Sequence, residues 1–136
     1  MQLEQNVTWD EIESLVSVLA KKILKLPRTF SSITTLSRGG LVPSRLLADH
    51  LGIKTIFVDK KNISSDSLFV DDIYDTGETF HTVLPTVDDS SKFVFVTLFA
   101  RIGKNYPENL LYAKKTKNNA YVIFPWDKLE FEHSKQ

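Results

Sequence analysis

The segment 92–100, KFVFVTLFA, is apolar at almost every position instead of alternating apolar with polar residues. A strand with one face in water alternates, whereas a strand covered on both faces does not need to. A chain carrying such a segment is directed toward a sheet with layers on both sides. SLFVDD at 67–72 has the same character up to its two terminal acids, and SSITTL at 31–36 and KTIFVD at 54–59 are shorter runs rich in β-branched residues. AYVIF at 120–124 reads as a late strand.

Helical signals fall between these runs. TWDE at 8–11 forms a capping box, with Thr8 as N-cap and Glu11 three residues on. Trp9, Ile12, Val16, Leu19, Ile23 and Leu26 then recur at steps of three and four, so a helix is predicted over 9–25, stopped by Pro27. VPSRLLADHLG at 42–52 has Pro43 near its start and Gly52 past its end, and a third helix is predicted over 78–84, ending at Pro85. Strands alternating with helices predict an α/β fold, a parallel β-sheet flanked by helices. At 136 residues, with no internal repeat or low-complexity stretch, the whole chain 1–136 is expected to form a single domain.

Composition narrows the partners. Seventeen basic residues balance seventeen acidic ones, which does not point to nucleic acid, and anion binding has to be local. The absence of cysteine removes disulfides, thiolate metal sites and cysteine nucleophiles. MQLEQNVTWDEIE is too polar for a signal peptide, and no apolar run approaches membrane-spanning length. A cytoplasmic setting and no membrane association are therefore expected.

In open parallel sheets, ligands bind beyond the carboxyl ends of the strands. Two unusual loops fall at that edge: SRGG at 37–40 and DDIYDTGET at 71–79. Asp71 and Asp72 end an apolar strand, and a carboxylate there can accept from the two hydroxyls of a vicinal diol or hold a divalent ion. Asp75, Thr76, Gly77, Glu78 and Thr79 open a helix, where backbone N–H groups and threonine hydroxyls can cradle a phosphate and Gly77 permits close approach. Together these describe a ribose 5-phosphate. An acidic surface turn with a helix cap is the plainer reading of Asp-Thr-Gly alone. The phosphate loops G-x-x-x-x-G-K-[ST] and G-x-G-x-x-G are both missing.

VDDIYDTGET resembles the phosphoribosyl pyrophosphate signature of the type I phosphoribosyltransferases. SRGGLVPSRLLADHLGI resembles the pyrophosphate loop and following helix of the bacterial xanthine–guanine (purine) enzymes of that family. VTWDEIESLVSVLAKKI, FVTLFA and FPWD are similar too, and the likeness runs in order from Val7 to Asp127. It implies a Rossmann-like single domain with a small C-terminal hood, and a magnesium-dependent transfer from phosphoribosyl pyrophosphate to a 6-oxopurine base.

The resemblance also distributes roles. Asp71 and Asp72 would hold the ribose hydroxyls and help organise magnesium, Asp75 would lie near N7 of the purine as candidate general base, and Thr76 to Thr79 would hold the 5-phosphate. Ser37, Arg38, Gly39 and Gly40 would take pyrophosphate, with a cis peptide bond before Arg38. Arg101 stands where purine enzymes carry a lysine that contacts the 6-oxo group, Tyr121 matches the stacking aromatic, Val122 offers backbone to the ring edge, and Asp127 matches an acid near a second magnesium. Taken alone, Arg101 also reads as an exposed charge and Tyr121 as a core aromatic.

One feature departs from the family. Where relatives have a long mobile arm, this chain has only KKNISSD, 60–66, in which Lys60 and Lys61 could contact pyrophosphate or simply face solvent. A short arm leaves open a non-catalytic or regulatory module that binds phosphoribosyl pyrophosphate or a nucleotide. The family further implies a homodimer or homotetramer.

Overall fold

The computed structural model describes residues 3–134. In chain order the elements are β1 (Glu4–Asn6), α1 (Trp9–Leu24), β2 (Ser32–Thr35), α2 (Leu41–Leu51), β3 (Ile56–Val58), β4 (Ser67–Tyr74), α3 (Glu78–Val83), β5 (Phe95–Ala100), β6 (Leu110–Lys115), β7 (Tyr121–Ile123) and α4 (Lys128–Ser134). Short 3-10 turns span Leu84–Thr86, Ser90–Lys92 and Pro125–Asp127. Five strands form one sheet in the order β3-β2-β4-β5-β6, and all its pairings are parallel. A second, two-stranded parallel sheet joins β1 to β7. Among the described residues no helix is long and apolar enough to cross a membrane.

The continuous apolar strands sit where they must. In β4, Leu68 and Val70 enter the core beneath α1 and α2, with Ile12, Val16, Leu19 and Leu47. Phe69 points the other way, into an aromatic cluster with Phe80, Phe93 and Phe95. Phe69 and Phe95 stack with ring centroids 4.9 Å apart. Thr8 caps α1 by accepting from Glu11 N at 3.1 Å, as the capping box predicts. α2 ends at Gly52 in the left-handed conformation.

The differences from the sequence reading have physical causes. β3 is three residues long instead of six, since it is an edge strand whose Phe57 and Val58 stay exposed. β4 does not stop at the acids but runs on to Tyr74, because Ile73 and Tyr74 keep their pairing with Phe99 and Ala100 of β5. Pro85 does not end the third helix abruptly; it sits inside a 3-10 turn that follows Val83. β1, β6 and α4 were not anticipated. β6 is the opposite edge strand, half-buried and ending in Lys114 and Lys115, so its apolar signal is diluted.

The connection 60–66 is no loose flap. Ile63 is buried in the aromatic cluster. Its N–H donates to Thr86 O at 3.1 Å, and its carbonyl accepts from Asp88 N at 3.0 Å. Ser65 N donates to Asp88 Oδ1 at 2.8 Å, and Arg28 Nη2 donates to Ser65 O at 2.7 Å. Lys60 lies over the Phe57 ring, Nζ 4.0 Å from its centroid. If Ile63 anchors this segment to the core, Ile63→Ala should lower unfolding free energy by about 2–5 kcal/mol in urea denaturation. An unchanged denaturation midpoint would show that the segment is held by its surface hydrogen bonds alone.

Candidate active site

The carboxyl ends of β2, β3, β4 and β5 bring the predicted residues to one edge of the sheet. Asp71 Oδ1 accepts from Asp72 N, and Asp72 Oδ1 from Ile73 N, each at 2.8 Å. These bonds do not offset the loss of water. Burial pushes the Asp71 carboxyl above its ordinary range, and burial, followed by the neighbouring Asp71 charge, pushes Asp72 up to about 8. Asp127 is raised as well, by burial and then by the charges of Asp72 and Glu130, with Arg38 opposing. Asp127 therefore shares one electrostatic environment with Asp72 and Arg38. The negative charge here lacks a matching cation.

Two depressions meet at these acids. One, of about 210 Å³, is lined by residues 71–80 with Phe95. The other, of about 130 Å³, lies among Asp72, Asp75, Arg101, Tyr121, Val122 and Asp127. A larger open depression beside Arg28, Lys92 and Asn109 stands at the amino ends of β5 and β6, away from the acids.

The turn after β4 is shaped for backbone donors. Gly77 has φ +85°, and a Cβ there would lie 2.6 Å from the Tyr74 hydroxyl oxygen, so glycine is required on two counts. Thr76 Oγ1 accepts from Glu78 N at 3.3 Å. Because α3 has only six residues, the turn's own N–H groups count for more here than any helix dipole.

The second loop lies directly against the acids. Its Ser37–Arg38 peptide bond is cis, as the resemblance implied. A Cβ on Gly39 would lie 2.7 Å from Asp72 Oδ2, so only glycine lets this backbone pass the carboxylate. Arg38 reaches outward, Nη2 3.7 Å from Glu130 Oε2. Ser37 donates through N and Oγ to the two carboxylate oxygens of Asp59, at 2.9 and 2.6 Å. These bonds hold the Asp59 carboxyl below its ordinary range.

On the base side, Arg101 is only 8% exposed, which rules out a solvent charge. Nε and Nη2 donate to Asp75 Oδ1 and Oδ2 at 3.1 and 3.4 Å, and Nη1 donates to Asn118 O and Ala120 O at 3.0 and 2.8 Å. A guanidinium so engaged keeps a single N–H for anything else. Tyr121 is 46% exposed and so is not core; its ring stacks on Phe131 at 5.4 Å. Tyr121 N donates to Leu3 O, and Ile123 O accepts from Val7 N. Strand alternation therefore turns the Val122 peptide groups away from β1, while its side chain stays in the core.

The predicted acids, both loops, Arg101, Tyr121 and Val122 thus lie along one edge, while Lys60 rests over the Phe57 ring. Sequence reasoning missed Asp59, Glu130 and Phe131. The position of Asp59, just after β3 at the ligand edge, was the one available signal. Nothing in KLEFEHS announced that α4 would meet Arg38 and Tyr121.

No protein-family model matches the chain. It is 28% identical over 139 residues to the xanthine-guanine phosphoribosyltransferase of Chromohalobacter salexigens, covering 89% of this chain and 82% of that protein. Among solved structures, the Helicobacter pylori xanthine-guanine-hypoxanthine phosphoribosyltransferase superposes with TM-score 0.78 at 17% identity, over 98% of this chain and 99% of that one. A hypothetical protein from Neisseria gonorrhoeae with bound ppGpp gives TM-score 0.73 at 20% identity, over 99% and 95%. The chain has the type I phosphoribosyltransferase fold and is similar in sequence, over most of its length, to xanthine-guanine phosphoribosyltransferases.

Proposed function

We propose that this protein is a purine phosphoribosyltransferase, moving the 5-phosphoribosyl group from phosphoribosyl pyrophosphate to a 6-oxopurine and releasing pyrophosphate. The observation that carries the reading is the meeting of Asp72 and Gly39. It sets a diol-binding acid pair beside an anion loop at one sheet edge, in a chain related to named purine phosphoribosyltransferases.

In the reaction, the bond from ribose C1 to the pyrophosphate oxygen breaks and a bond from C1 to a purine ring nitrogen forms. Asp71 and Asp72 accept from the ribose hydroxyls, and the turn 76–79 holds the 5-phosphate. Arg38 and the amides of Gly39 and Gly40 stabilise the charge that builds on departing pyrophosphate. Asp75, oriented by the Arg101 guanidinium, receives the ring proton. Tyr121 offers its ring to the base, and Val122 its peptide groups.

Magnesium fits the acids present. Among the described residues no group of three or more metal-ligating side chains stands ready to cage an ion. Asp72, with Asp127 nearby, suits an ion that arrives on phosphate oxygens and needs only one or two protein carboxylates. Once bound, it offsets the leaving group's charge.

A second reading, a module that binds phosphoribosyl pyrophosphate or a nucleotide without transfer, draws support from the anchored segment around Ile63 and from the Neisseria protein that holds ppGpp. Exposed Phe57, Val58 and Leu41 support association into dimers or tetramers. The absence of cysteine suits a cytoplasmic setting. Light scattering should show a particle larger than one chain, and a monomer at all concentrations refutes the association.

Incubation with phosphoribosyl pyrophosphate, magnesium and guanine, xanthine or hypoxanthine should yield a nucleoside monophosphate. Asp75→Asn should cut turnover by roughly 10²–10⁴. Ligand binding seen in calorimetry without any product would favour the second reading.

Asp72 gives a pH prediction. Its folded pKa, about 8, lies above the ordinary 3.8, so the ligand-free fold binds an extra proton between those values. The resulting stabilisation is complete below pH 4 and is lost as pH rises through 8. Asp72→Asn should flatten this fall and leave the ligand-free protein more stable than wild type at pH 8, while weakening pyrophosphate binding. Parallel stability–pH curves for the two proteins would refute the assignment.

A further inference from the structure

Asp59 has no part in the proposed chemistry, yet its geometry is unusual. It follows β3 directly and has φ +55°, and it is the single non-glycine residue with positive φ among those described. Its N–H donates to Thr35 O at 2.9 Å, which ties the end of β3 to the end of β2. Thr35 Oγ1 in turn donates to Val70 O of β4 at 2.6 Å. Asp59 is thus anchored through its backbone to the central strands, and its side chain reaches forward to Ser37.

That contact takes up both of Ser37's donors, the amide and the hydroxyl. Ser37 then has no proton to give an anion at the loop. The donors facing a ligand are the amides and guanidinium of Arg38, Gly39 and Gly40. The loop runs between two carboxylates, with Asp59 bonded to Ser37 at its entry and Asp72 against Gly39. A free carboxylate so close to an anion site would oppose binding. Bonded at each oxygen to Ser37, the Asp59 carboxylate instead turns toward the loop's own donors and ties the loop to the end of β3.

We infer that Asp59 is the positioning residue of the anion loop: by holding both donors of Ser37, it sets the Arg38–Gly40 amides in place for pyrophosphate, and it touches no substrate itself. This rests on the transferase reading above. It departs from the expectation that Ser37 binds pyrophosphate directly.

The test uses three single variants, one double variant and two readouts. Asp59→Gly keeps the left-handed backbone without strain and deletes the carboxylate. Asp59→Asn tolerates the same φ and keeps an acceptor. Ser37→Ala removes only the hydroxyl bond. Calorimetry with magnesium pyrophosphate and steady-state kinetics with each substrate varied are run on all. Asp59→Gly should weaken pyrophosphate binding and raise KM for phosphoribosyl pyrophosphate about tenfold, the scale of losing hydrogen bonds to a charged group, with KM for the purine unchanged. Asp59→Asn should recover most of this. Ser37→Ala should cost less, and adding it to Asp59→Gly should cost nothing more.

Pyrophosphate affinity and KM at wild-type values in Asp59→Gly would overturn the inference, as would equal damage in Asp59→Gly and Asp59→Asn. A wild-type protein that binds pyrophosphate while Asp59→Gly binds it equally well removes only Asp59's role. A wild type that neither transfers nor binds removes the transferase reading, and the loop's assigned task with it.

Discussion

Two adjacent carboxylates in the last half of the central strand, just past its pairing with β2, are the constraint around which the rest is arranged. β4 is hydrogen-bonded on both sides, to β2 and to β5. Asp71 is still in register with Thr97 when it reaches the edge, so neither acid can swing far into solvent. Acids free to move would seek water and return toward ordinary titration. Held half-buried, they keep an electrostatic demand that the protein's own cations do not meet, since Arg101 is turned to Asp75 and Arg38 to Glu130. The sheet's rigidity keeps both carboxyls where ionising them is unfavourable, and under the proposed function a ligand bringing hydroxyl donors and a cation relieves that cost.

The same logic bears on how the site is covered. A long arm can fold over a reacting sugar, but here the corresponding segment is anchored by Ile63, Ser65 and Arg28. What stands over the edge instead is α4, through Glu130 on Arg38 and Phe131 on Tyr121. The Arg38–Glu130 pair is exposed, and an exposed ion pair contributes about 1 kcal/mol or less. An incoming phosphate anion can therefore displace Glu130 from Arg38 at little cost. The contrast is between a segment built into the core and an Arg38 that is paired only at the exposed surface.

What the sequence made legible follows from which signals are local. β4, β5, α1 and α2 announce themselves because burial pattern, caps and turns are written within each segment. The two loops stood out because their acids, threonines and glycines are packed into short stretches directly after apolar strands, and Gly39 and Gly77 do stand where a side chain would collide. β1 was not readable: Glu4–Asn6 is a polar tripeptide whose pairing depends on β7 at the far end of the chain. β6 carries the lysines of an edge strand. That Arg101 is buried was not readable from its own segment, because its four acceptors come from Asp75, Asn118 and Ala120, on two loops that only the fold brings together. Asp59 and Ser37 lie 22 positions apart, and their contact depends on the bend of the second loop.

The bonds of Arg101 also limit how a base can be read. Its guanidinium joins the acidic loop to the segment entering β7, so it cannot reorient toward a ligand without releasing Asp75 or two carbonyls. Under the proposed function it can offer a 6-oxo group one N–H at most. The remaining polar recognition falls to the Val122 peptide, turned outward by the pairing of Tyr121 and Ile123 with β1. A peptide group presents one donor and one acceptor fixed in space. It can match the edge of a 6-oxopurine, but it is poorly placed to separate purines that differ elsewhere on the ring. Under the proposed function β1, though remote in sequence from the two loops, thereby bears on recognition by fixing which way the β7 backbone faces.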